Sequence, residues 1–423
     1  MLTREQILER NKLIGLNGLQ TRQKRMTQSC KTFKFKIDYN NLNLQQKECV
    51  KMMFVEAKWI YNYLIGQEDI YSFNYKNLNK VTHKDKNKND IETNIQYVRS
   101  SVKQELISQI VNQIKGLAKL KKKAHKVGKL RYKTEFNSIK LKQYNITHSI
   151  RGNKFKIQGI KDPIKVMGLK QLNKYENIDY TTANLLYDGI NYYIALTCFI
   201  DKEEKTYDND IVGIDMGVST TLTLSDGTKY DISIGESEKL KRLQTKLSKQ
   251  KKGSNNRYKT IKKIRKEYIH INNKKNDMSN KIISKILNNY KNIVIQDEQL
   301  SKWKQDGISG SKIHHSILGR IKSKLVENNK VIVLDKWFPT TKYCRQCGSK
   351  NELELKNRIF ECSNCKIKED RDIHAANNMI WFYLKYNKLD RSGTDQTSIK
   401  EPVKIAYNKF VSKLDKQEDT TSL

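Results

Sequence analysis

The sequence contains no apolar run that approaches the ~20 residues of a membrane-spanning helix. Its first ten residues are polar and lack the basic-then-apolar pattern of a signal peptide. Its seven cysteines do not form a secreted disulfide framework: four make two C-x-x-C pairs, and Cys30, Cys49 and Cys198 are scattered among apolar neighbours. These absences argue against a membrane partner and predict a cytoplasmic protein.

Acidic residues are also in short supply. The 423 residues include 45 Asp and Glu against 82 Lys and Arg, which gives a formal net charge of +37. Such an imbalance makes a compact chain repel itself unless a polyanion neutralises it. Nucleic acid is therefore the expected partner, and its binding should weaken with salt. The length predicts two to four domains.

The first 130 residues have a mainly helical pattern. A polar, basic leader over 1–28 precedes a strand over 31–38, where apolar residues alternate with lysines. Apolar residues at three- and four-residue steps predict helices over 43–65 and 94–120. The residues between them, 80–92, are predicted to be a charged loop.

The second predicted helix runs into a dense basic segment. Residues 115–133 contain nine Lys and Arg residues and no Asp or Glu. Such a run either is a solvated face or follows a phosphate backbone, and the sequence favours neither. The candidate nucleic-acid-binding residues are Lys119, Lys121, Lys122, Lys123, Lys126, Lys129 and Arg131.

Further along, the apolar period changes to two. Short strands are predicted around residues 139–141, 155–157, 164–166 and 192–196, separated by Gly- and Asp-containing turns. With the strand at 31–38 they predict a small β-barrel into which the helices are inserted. Barrels of this kind often hold oligonucleotides.

The second half of the chain mixes strands and helices. Strands are predicted over 212–224, 292–297 and 331–334. A basic region over 236–290 carries separate leucine and isoleucine stripes and predicts two antiparallel helices. A shorter helix is predicted over 316–328.

Acidic residues end two of these buried strands. Asp215 stands in I-V-G-I-D-M-G, and Asp297 and Glu298 end N-I-V-I-Q-D-E. Asp370 and Asp372 supply a third acidic segment at a helix start. A carboxylate there is costly unless a cation or hydrogen bonds compensate, so three together predict a Mg²⁺ site. The alternative is ordinary strand-end acids, and alternation does not decide between the members of either pair.

Four cysteines form a C-x2-C-x14-C-x2-C pattern. Cys344, Cys347, Cys362 and Cys365 make two knuckles whose thiolates can close a tetrahedron around zinc. Four protein ligands leave no open coordination position, so the zinc is predicted to be structural. The alternative is four free cysteines.

Taken together, these motifs resemble a known family. The sequence is similar to TnpB, the RNA-guided nuclease of bacterial insertion sequences, and to the miniature type V CRISPR effectors descended from it. The segments that carry the resemblance are G-I-D-M-G-V-S-T at 213–220, I-V-I-Q-D-E at 293–298, H-S-I-L-G-R-I-K-S-K-L at 315–325, P-T-T-K-Y-C-R-Q-C-G at 339–348 and C-S-N-C…D-R-D-I-H-A-A-N-N at 362–378.

The resemblance implies an α+β multidomain protein with a wedge β-barrel, an inserted helical recognition domain and a split RuvC nuclease of RNase H-like fold. It implies a basic leader over 1–28, the barrel from 29–42 and 131–206, the recognition domain over 43–130, the nuclease from 207–342 and 371–395, a zinc-binding target-nucleic-acid module over 343–370, and a flexible tail over 396–423.

By motif position, the resemblance makes Asp215, Glu298 and Asp372 the catalytic ligands of two Mg²⁺ ions. It implies a bacterial RNA-guided DNA endonuclease that binds a guide RNA, acts as a monomer or as a homodimer on one guide, and cleaves double-stranded DNA beside a short flanking motif. The alternatives are a guided DNA-binding repressor and an unguided RuvC-type nuclease or transposase.

Three positions depart from the family pattern. Many relatives carry E-D-L where this chain has Q-D-E, so Asp297 remains a rival to Glu298. His374 stands where relatives usually have Asn, and Lys366 replaces the usual Gly after the second knuckle. Neither of the last two belongs to a metal-ligand set, so the sequence predicts that activity is retained.

Overall fold

The computed structural model describes residues 3–85, 87, 89–202, 206–300, 303, 310–352, 354, 357–389, 403–408 and 411. The chain divides into two compact units, Met1–Glu203 and Glu204–Leu423. The predicted α+β class is confirmed. No described helix is both long enough and apolar enough to cross a membrane.

The first unit contains three α-helices and nine strands among its described residues. The helices are α1 (Arg4–Met26), α2 (Leu44–Ile65) and α3 (Ser100–Lys122). The strands are β1 (Gln28–Ile37), β2 (Lys80–Lys84), β3 (Asp90–Asn94), β4 (Ser138–Leu141), β5 (His148–Arg151), β6 (Lys154–Ile157), β7 (Ile164–Met167), β8 (Ile178–Tyr187) and β9 (Tyr192–Asp201).

Seven of these strands form one antiparallel sheet in the order β4-β8-β9-β1-β7-β6-β5. Its central strand, β1, pairs with β9 from Gln28 to Lys36. Side chains on one face of the sheet, such as Phe35, Ile139 and Ile194, are fully buried. They pack with the buried faces of α2 and α3 in one hydrophobic core. The predicted strands at 139–141, 155–157, 164–166 and 192–196 are confirmed by β4, β6, β7 and β9.

Local hydrogen bonds explain where the helices begin. Asn43 and Gln46 form a capping box at the start of α2, which confirms the helix predicted over 43–65. The third helix begins later than the predicted residue 94. The buried Glu56 carboxylate accepts the backbone N–H groups of residues 96–98 at 2.8–2.9 Å, which holds that segment outside the helix.

The predicted charged loop over 80–92 is wrong, because β2 and β3 form an antiparallel hairpin there. Its charges pair across the strands, with Lys84 Nζ 3.1 Å from Asp90 and Lys80 Nζ 3.4 Å from Glu92. Val81 alone among the described hairpin residues is buried, so the sequence shows no apolar alternation.

The long strand β8 was also not predicted. Its pairing with β9 shifts register between Tyr180 and Ala183, so a bulge breaks the alternation of buried and exposed side chains. The predicted leader over 1–28 is largely the helix α1, whose capping box joins Thr3 and Gln6.

The second unit is built on a mixed sheet. Its strands are β10 (Asn209–Asp215), β11 (Leu222–Leu224), β12 (Lys229–Tyr230), β13 (Tyr290–Gln296), β14 (Val331–Leu334), β15 (Ile359–Glu361), β16 (Lys368–Asp370) and β17 (Val403–Ile405). Its helices are α4 (Glu238–Ser248), α5 (Asn255–Asn289), α6 (Gly310–His315), α7 (Leu318–Val326) and α8 (Arg371–Leu389).

Six of these strands are ordered β12-β11-β10-β13-β14-β17. The first three are joined by antiparallel pairing, whereas β10, β13, β14 and β17 are parallel. The predicted pair of antiparallel helices is confirmed by α4 and α5. Ser237 and Lys239, at the start of α4, contact Glu267 on α5 at 2.8 and 2.9 Å, and Gln244 contacts Tyr268 at 3.0 Å.

The tail predicted over 396–423 lies mostly outside the described residues. Within its described part, Val403–Ile405 form β17 and pair with β14. Ile405 is buried in a core cluster with Phe338, Met379 and Phe382. That short segment therefore forms a strand, which differs from the predicted flexible tail. Pairing with the edge of β14 and burying the single residue Ile405 are enough to order it.

Candidate active site

Three carboxylates meet at one edge of the mixed sheet. Asp215 is the last residue of β10, Glu298 follows the end of β13, and Asp372 lies in the first turn of α8. Since β10 and β13 are adjacent and parallel, their carboxyl ends share this edge. Burial, together with repulsion from Asp372 and then Glu298, raises the pKa of Asp215 to about 7. The charges of Asp372 and Glu298 thus act on Asp215, although the oxygens of the three described carboxylates do not all lie within 4.8 Å of one another.

A glycine brings the third carboxylate to the sheet. A Cβ atom on Gly213 would lie 1.9 Å from the carbonyl oxygen of Ala376, so α8 rests directly on the backbone of β10. Asp372 is one turn before Ala376 on the same helix. The close approach at Gly213 therefore sets the distance between Asp215 and Asp372.

Asp297 and Glu298 have different surroundings. Asp297 is exposed, and its carboxylate pairs with Lys322 of α7 at 2.8 Å. Glu298 is half-buried, and burial raises its pKa although Lys322 opposes the shift. Lys322 also donates a hydrogen bond to the backbone oxygen of Glu298. Of the two acids, Glu298 is the one whose charge acts on Asp215.

Asp370 and Asp372 divide in the same way. The Asp370 carboxylate accepts the backbone N–H groups of Asp372 and Ile373 at 3.0 and 3.1 Å, and Lys229 pairs with it at 2.7 Å. Burial opposes its ionisation, but these bonds outweigh burial and lower its pKa. Asp370 therefore caps α8, while the charge of Asp372 acts on Asp215 and its carboxylate lies 3.6 Å from the Arg371 guanidinium.

A buried glutamine supports this edge and was not among the predicted site residues. The Gln296 side-chain amide donates to the backbone oxygens of Lys336 and Phe338 at 3.0 and 2.8 Å, and its oxygen accepts from Thr340 at 3.0 Å. It thereby fixes the segment that leads from β14 to the cysteines. The available signal was a polar residue inside the apolar run I-V-I-Q.

His374 links α8 to the cysteine segment, and its hydrogen bonds go to Glu369 and Asn378 rather than to Asp215, Glu298 or Asp372. Its ring is fully buried, stacks on Phe360 with centroids 3.6 Å apart, and bonds through Nδ1 to Glu369. Its Nε2 lies 2.9 Å from the Asn378 amide. Burial lowers the pKa of His374, although Glu369 opposes that shift. Position 374, where this chain departs from the family pattern, is therefore a buried packing position.

The four cysteines of the two knuckles form one cluster. Their Sγ atoms all lie within 4.8 Å of one another. Cys344 is 3.5 Å from Cys365, and Cys347 is 3.5 Å from Cys362. Tetrahedral zinc with Zn–S bonds of about 2.3 Å requires sulfurs a little under 4 Å apart, so the donor set fits zinc. A hydrogen bond with Ser349 lowers the pKa of Cys362, whereas contacts with the neighbouring thiols raise the pKa of Cys365 against a bond from the Ile367 N–H.

The two knuckles end in the same backbone conformation. Gly348 follows Cys347 with φ +74°, and Lys366 follows Cys365 with φ +61°. The left-handed region favours glycine, because a side chain there costs about 1–2 kcal/mol. The Lys366 departure from the family pattern is therefore a source of backbone strain beside the cysteine cluster.

The predicted basic residues lie in the first unit, at the end of α3 and in the segment after it. All of them are exposed: Lys119, Lys121, Lys122, Lys123, Lys126, Lys129 and Arg131. Lys133, at the end of the basic run, instead packs its ammonium over Tyr61, 3.9 Å from the ring centroid.

Comparison with protein families gives two matches between residues 195 and 379. Residues 195–305 match the OrfB_IS605 family, described as "Probable transposase". Residues 314–379 match the TNB domain of Cas12f1-like proteins. Together the two matches include Asp215, Glu298, Asp372 and all four clustered cysteines. The predicted resemblance to TnpB-like proteins is confirmed.

Two curated relatives agree with these TnpB-like matches. A Streptomyces pristinaespiralis protein named "Putative RNA-guided DNA endonuclease" is 26% identical over 215 residues, which are 48% of this chain and 53% of the relative. The Escherichia coli (strain K12) protein named "Putative RNA-guided DNA endonuclease InsQ" is 27% identical over 194 residues, 40% of this chain and 48% of the relative. The matched part thus spans about half the length of each relative.

Two solved structures are similar at low identity. A Cas12f1–sgRNA–target DNA complex matches with 15% identity and a TM-score of 0.23, covering 83% of this chain and 98% of that one. The mini-RNA-guided endonuclease Cas_phi3 matches with 8% identity and a TM-score of 0.38, covering 89% and 94%.

Proposed function

We propose that this chain is an RNA-guided DNA endonuclease whose second unit hydrolyses phosphodiester bonds. One observation carries the proposal: Asp215, Glu298 and Asp372 come from three distant segments to one edge of the sheet, where burial and then the charges of Asp372 and Glu298 raise the pKa of Asp215 to about 7. A cluster that repels itself in this way is suited to a divalent cation. The names of the two curated relatives support the guided activity.

The second unit is proposed to be a RuvC-type nuclease of RNase H-like fold, split by a zinc module. The mixed sheet, with two antiparallel pairings followed by three parallel ones, supports this assignment, as does the helix α8 lying on β10. The proposed nuclease segments are 207–342 and 371–395, with the zinc module over 343–370. The first unit would supply the wedge barrel from 29–42 and 131–206 and the recognition helices over 43–130.

The donor set at the sheet edge fits Mg²⁺, which prefers carboxylate and water oxygens. Bound there, two such ions would activate a water and stabilise the leaving oxygen. Asp215, Glu298 and Asp372 would hold the ions, and Asp370 and Lys322 would keep Asp372 and Glu298 in position. In the reaction, the water oxygen bonds to phosphorus and one P–O bond breaks. One proton of the water goes to the leaving oxygen and the other to solvent.

The first unit is proposed to bind the guide RNA and the DNA duplex beside the target. The exposed cations at the end of α3 are positioned to follow a phosphate backbone, and this contact would be weakened by salt. Bases in the target would then be read by pairing with the RNA rather than by side chains.

The test is guided cleavage by the chain purified with its native RNA. Asp215→Ala should lower the cleavage rate by at least ~10³-fold and leave target binding unchanged, since it removes a ligand to the reacting centre. Asp297→Ala is the matched control, because its carboxylate faces solvent and Lys322. Unchanged cleavage by Asp215→Ala would contradict the proposal.

An unguided nuclease or transposase is the second candidate, because the matching family is described as "Probable transposase". It predicts cutting or strand transfer without any specific RNA in the purified protein. Sequencing the RNA that co-purifies separates the two. A guided repressor would instead bind the target and leave it uncut with every divalent ion, and the three converging carboxylates argue against that.

A further inference from the structure

The N-terminal end of α8, which carries Asp372, is contacted from two sides. Successive helical residues are about 100° apart, so Ala376 projects from one side of the helix and His374 and Asn378 from the other. Ala376 meets Gly213 of β10, whereas His374 and Asn378 are fully buried and bond to residues near the cysteines. Asp372 is about 40° around the helix from Ala376, on the side of the sheet. This end of the helix therefore lies between the sheet and the cysteine segment.

The buried residues of α8 differ along its length. The large apolar side chains that are buried begin about two turns after Asp372 and are Met379, Phe382 and Tyr383. Nearer to Asp372, the buried residues are small or polar: His374, Ala375, Ala376 and Asn378. Small side chains contribute little hydrophobic burial. The position of this end of the helix therefore depends on its polar contacts more than the middle does.

Glu369 provides the central polar contact. It belongs to β16 and directly precedes the Asp370 cap of α8. Both terminal nitrogens of Arg345 donate to the Glu369 carboxylate, one of them at 2.9 Å, and His374 Nδ1 bonds to the same carboxylate. Arg345 belongs to the first knuckle, C-R-Q-C. One carboxylate thus joins a residue of the knuckle to a residue of the helix.

This contact is shielded from water and has a fixed direction. The side chains of Glu369 and Arg345 are 15% and 32% exposed, and the two-point pairing of a guanidinium with a carboxylate restricts their relative orientation. A second contact joins the same helix to the residues before the knuckle. The Asn378 amide donates to the backbone oxygens of Thr340 and Tyr343 at 2.6 and 2.7 Å. Of the two contacts, the one through Glu369 depends on the order of the knuckle itself.

The knuckles have only a small core of their own, Cys344, Phe360 and Cys362, so their order would depend on zinc. We propose that Glu369 is a positioning residue, which holds the Asp372 end of α8 in place while the cysteine cluster is ordered by its metal. Metal binding at the two clusters is then linked, and each metal should bind about tenfold more tightly when the other is present. The two metals are taken from the proposed function, which this linkage deepens.

The first experiment measures hydrogen exchange over residues 372–378 of the full chain without Mg²⁺. Removing zinc should lower their protection at least ~tenfold, because the contact through Glu369 is lost. Glu369→Gln should show the same loss with zinc still bound, as checked by its zinc content. Glu361→Gln is the matched control: it removes a carboxylate from the paired strand β15, where Glu361 is exposed and lies 3.0 Å from Lys368. Its protection should equal that of the unmodified chain.

The second experiment measures the zinc Kd of the full chain by competition with a chelator that does not bind Mg²⁺. Saturating Mg²⁺ should lower the zinc Kd about tenfold in the unmodified chain and in Glu361→Gln, and less than about twofold in Glu369→Gln. His374→Asn breaks the same contact at its helix end and should behave as Glu369→Gln does. It also decides the question if Glu369→Gln fails to retain zinc.

Guided cleavage gives a readout that lost stability alone would not change. The Mg²⁺ concentration for half-maximal cleavage should rise about tenfold in Glu369→Gln, while the rate at saturating Mg²⁺ changes little. A lower rate at every Mg²⁺ concentration with an unchanged midpoint would contradict the positioning role.

The remaining outcomes separate this role from the proposed function. Full protection of residues 372–378 in zinc-free protein would overturn the role of Glu369, and so would an equal loss in Glu361→Gln. A zinc Kd that ignores Mg²⁺ in a chain that cleaves its target would also overturn it. A helix that loosens without zinc and in Glu369→Gln, in a chain that neither binds Mg²⁺ nor cuts, means that the proposed function has failed and the positioning role stands.

Discussion

The carboxylate cluster and the cysteine cluster of the second unit are assembled in opposite ways. The carboxylates come from β10, the end of β13 and α8, and are held by a sheet whose strands are buried on both faces. The cysteines come from one short segment, whose own core cluster contains Cys344, Phe360 and Cys362 with Ile367 beside them. The carboxylate cluster is therefore positioned by the folded sheet, whereas the cysteine cluster contributes to the folding of its own segment.

The difference teaches what each metal would do. Mg²⁺ would enter a site that already exists and relieve its charge repulsion. Zinc would replace the hydrophobic core that the cysteine segment lacks, since structural zinc contributes folding free energy directly. Four predictions follow from this contrast, beginning with the one of largest expected effect.

Removing zinc should unfold the cysteine module and leave the sheet folded. A strong chelator, or Cys362→Ser, should abolish hydrogen-exchange protection over 343–370 while β10 and β13 stay protected. Removing Mg²⁺ should change neither region. Cys30→Ser is the control, because Cys30 is exposed in the first unit. Persistent protection of the module in zinc-free protein would remove the contrast.

Gly213→Ala should push α8 away from β10. The new methyl would overlap the Ala376 carbonyl, at a cost of about 1–3 kcal/mol or more in the free energy of unfolding. Moving Asp372 by about 1 Å should lower guided cleavage ~10²-fold. Gly319→Ala, at an exposed position of α7 where the nearest atom to the new methyl is 3.9 Å away, should neither destabilise the protein nor slow cleavage. Normal cleavage by Gly213→Ala would show that α8 does not set the site.

Metal-free protein should lose stability as pH rises through about 7. The folded pKa of Asp215, about 7, exceeds its ordinary 3.8. The protonated form therefore favours the folded state, and this contribution is complete below the ordinary pKa and lost as pH rises through the folded one. Asp215→Asn should remove the loss and raise Tm by about 2–4 °C at pH 8, as ~1 kcal/mol does in a unit of this size.

Thermal unfolding with and without Mg²⁺ measures this prediction. Mg²⁺ should raise the Tm of the unmodified chain at pH 8 and should have a much smaller effect on Asp215→Asn. Asp297→Asn serves as the control, because it removes an exposed carboxylate paired with Lys322 and should leave the Mg²⁺ response intact. A metal-free Asp215→Asn protein that melts earlier would contradict the raised pKa of Asp215.

Lys366→Gly should give the smallest change, a gain of about 1 kcal/mol in the zinc-loaded protein, because it relieves a positive φ. Gly348→Ala, at the equivalent turn of the first knuckle, should cost a similar amount. Chemical denaturation of both variants measures the pair. If both variants unfold with the same free energy as the unmodified chain, backbone strain is not what distinguishes the two turns.

The sequence predicted the acidic segments well because each follows a buried strand or begins a helix, and the period of apolar residues reveals both. It did not separate Glu298 from Asp297 or Asp372 from Asp370. Those distinctions depend on Lys322 and Lys229, which are distant along the chain. The start of α3 was misplaced for the same reason, since Glu56 holds the segment before it.

The short strand β17 limits how far the chain can be shortened at its C-terminal end. Trimming the chain after α8 would leave β14 as an edge with unpaired backbone N–H and C=O groups. All four residues of β14 are buried and apolar. Exposed apolar edges of this kind recruit strands from other molecules. A compact version would therefore need a charged residue or a proline at that edge to remain monodisperse.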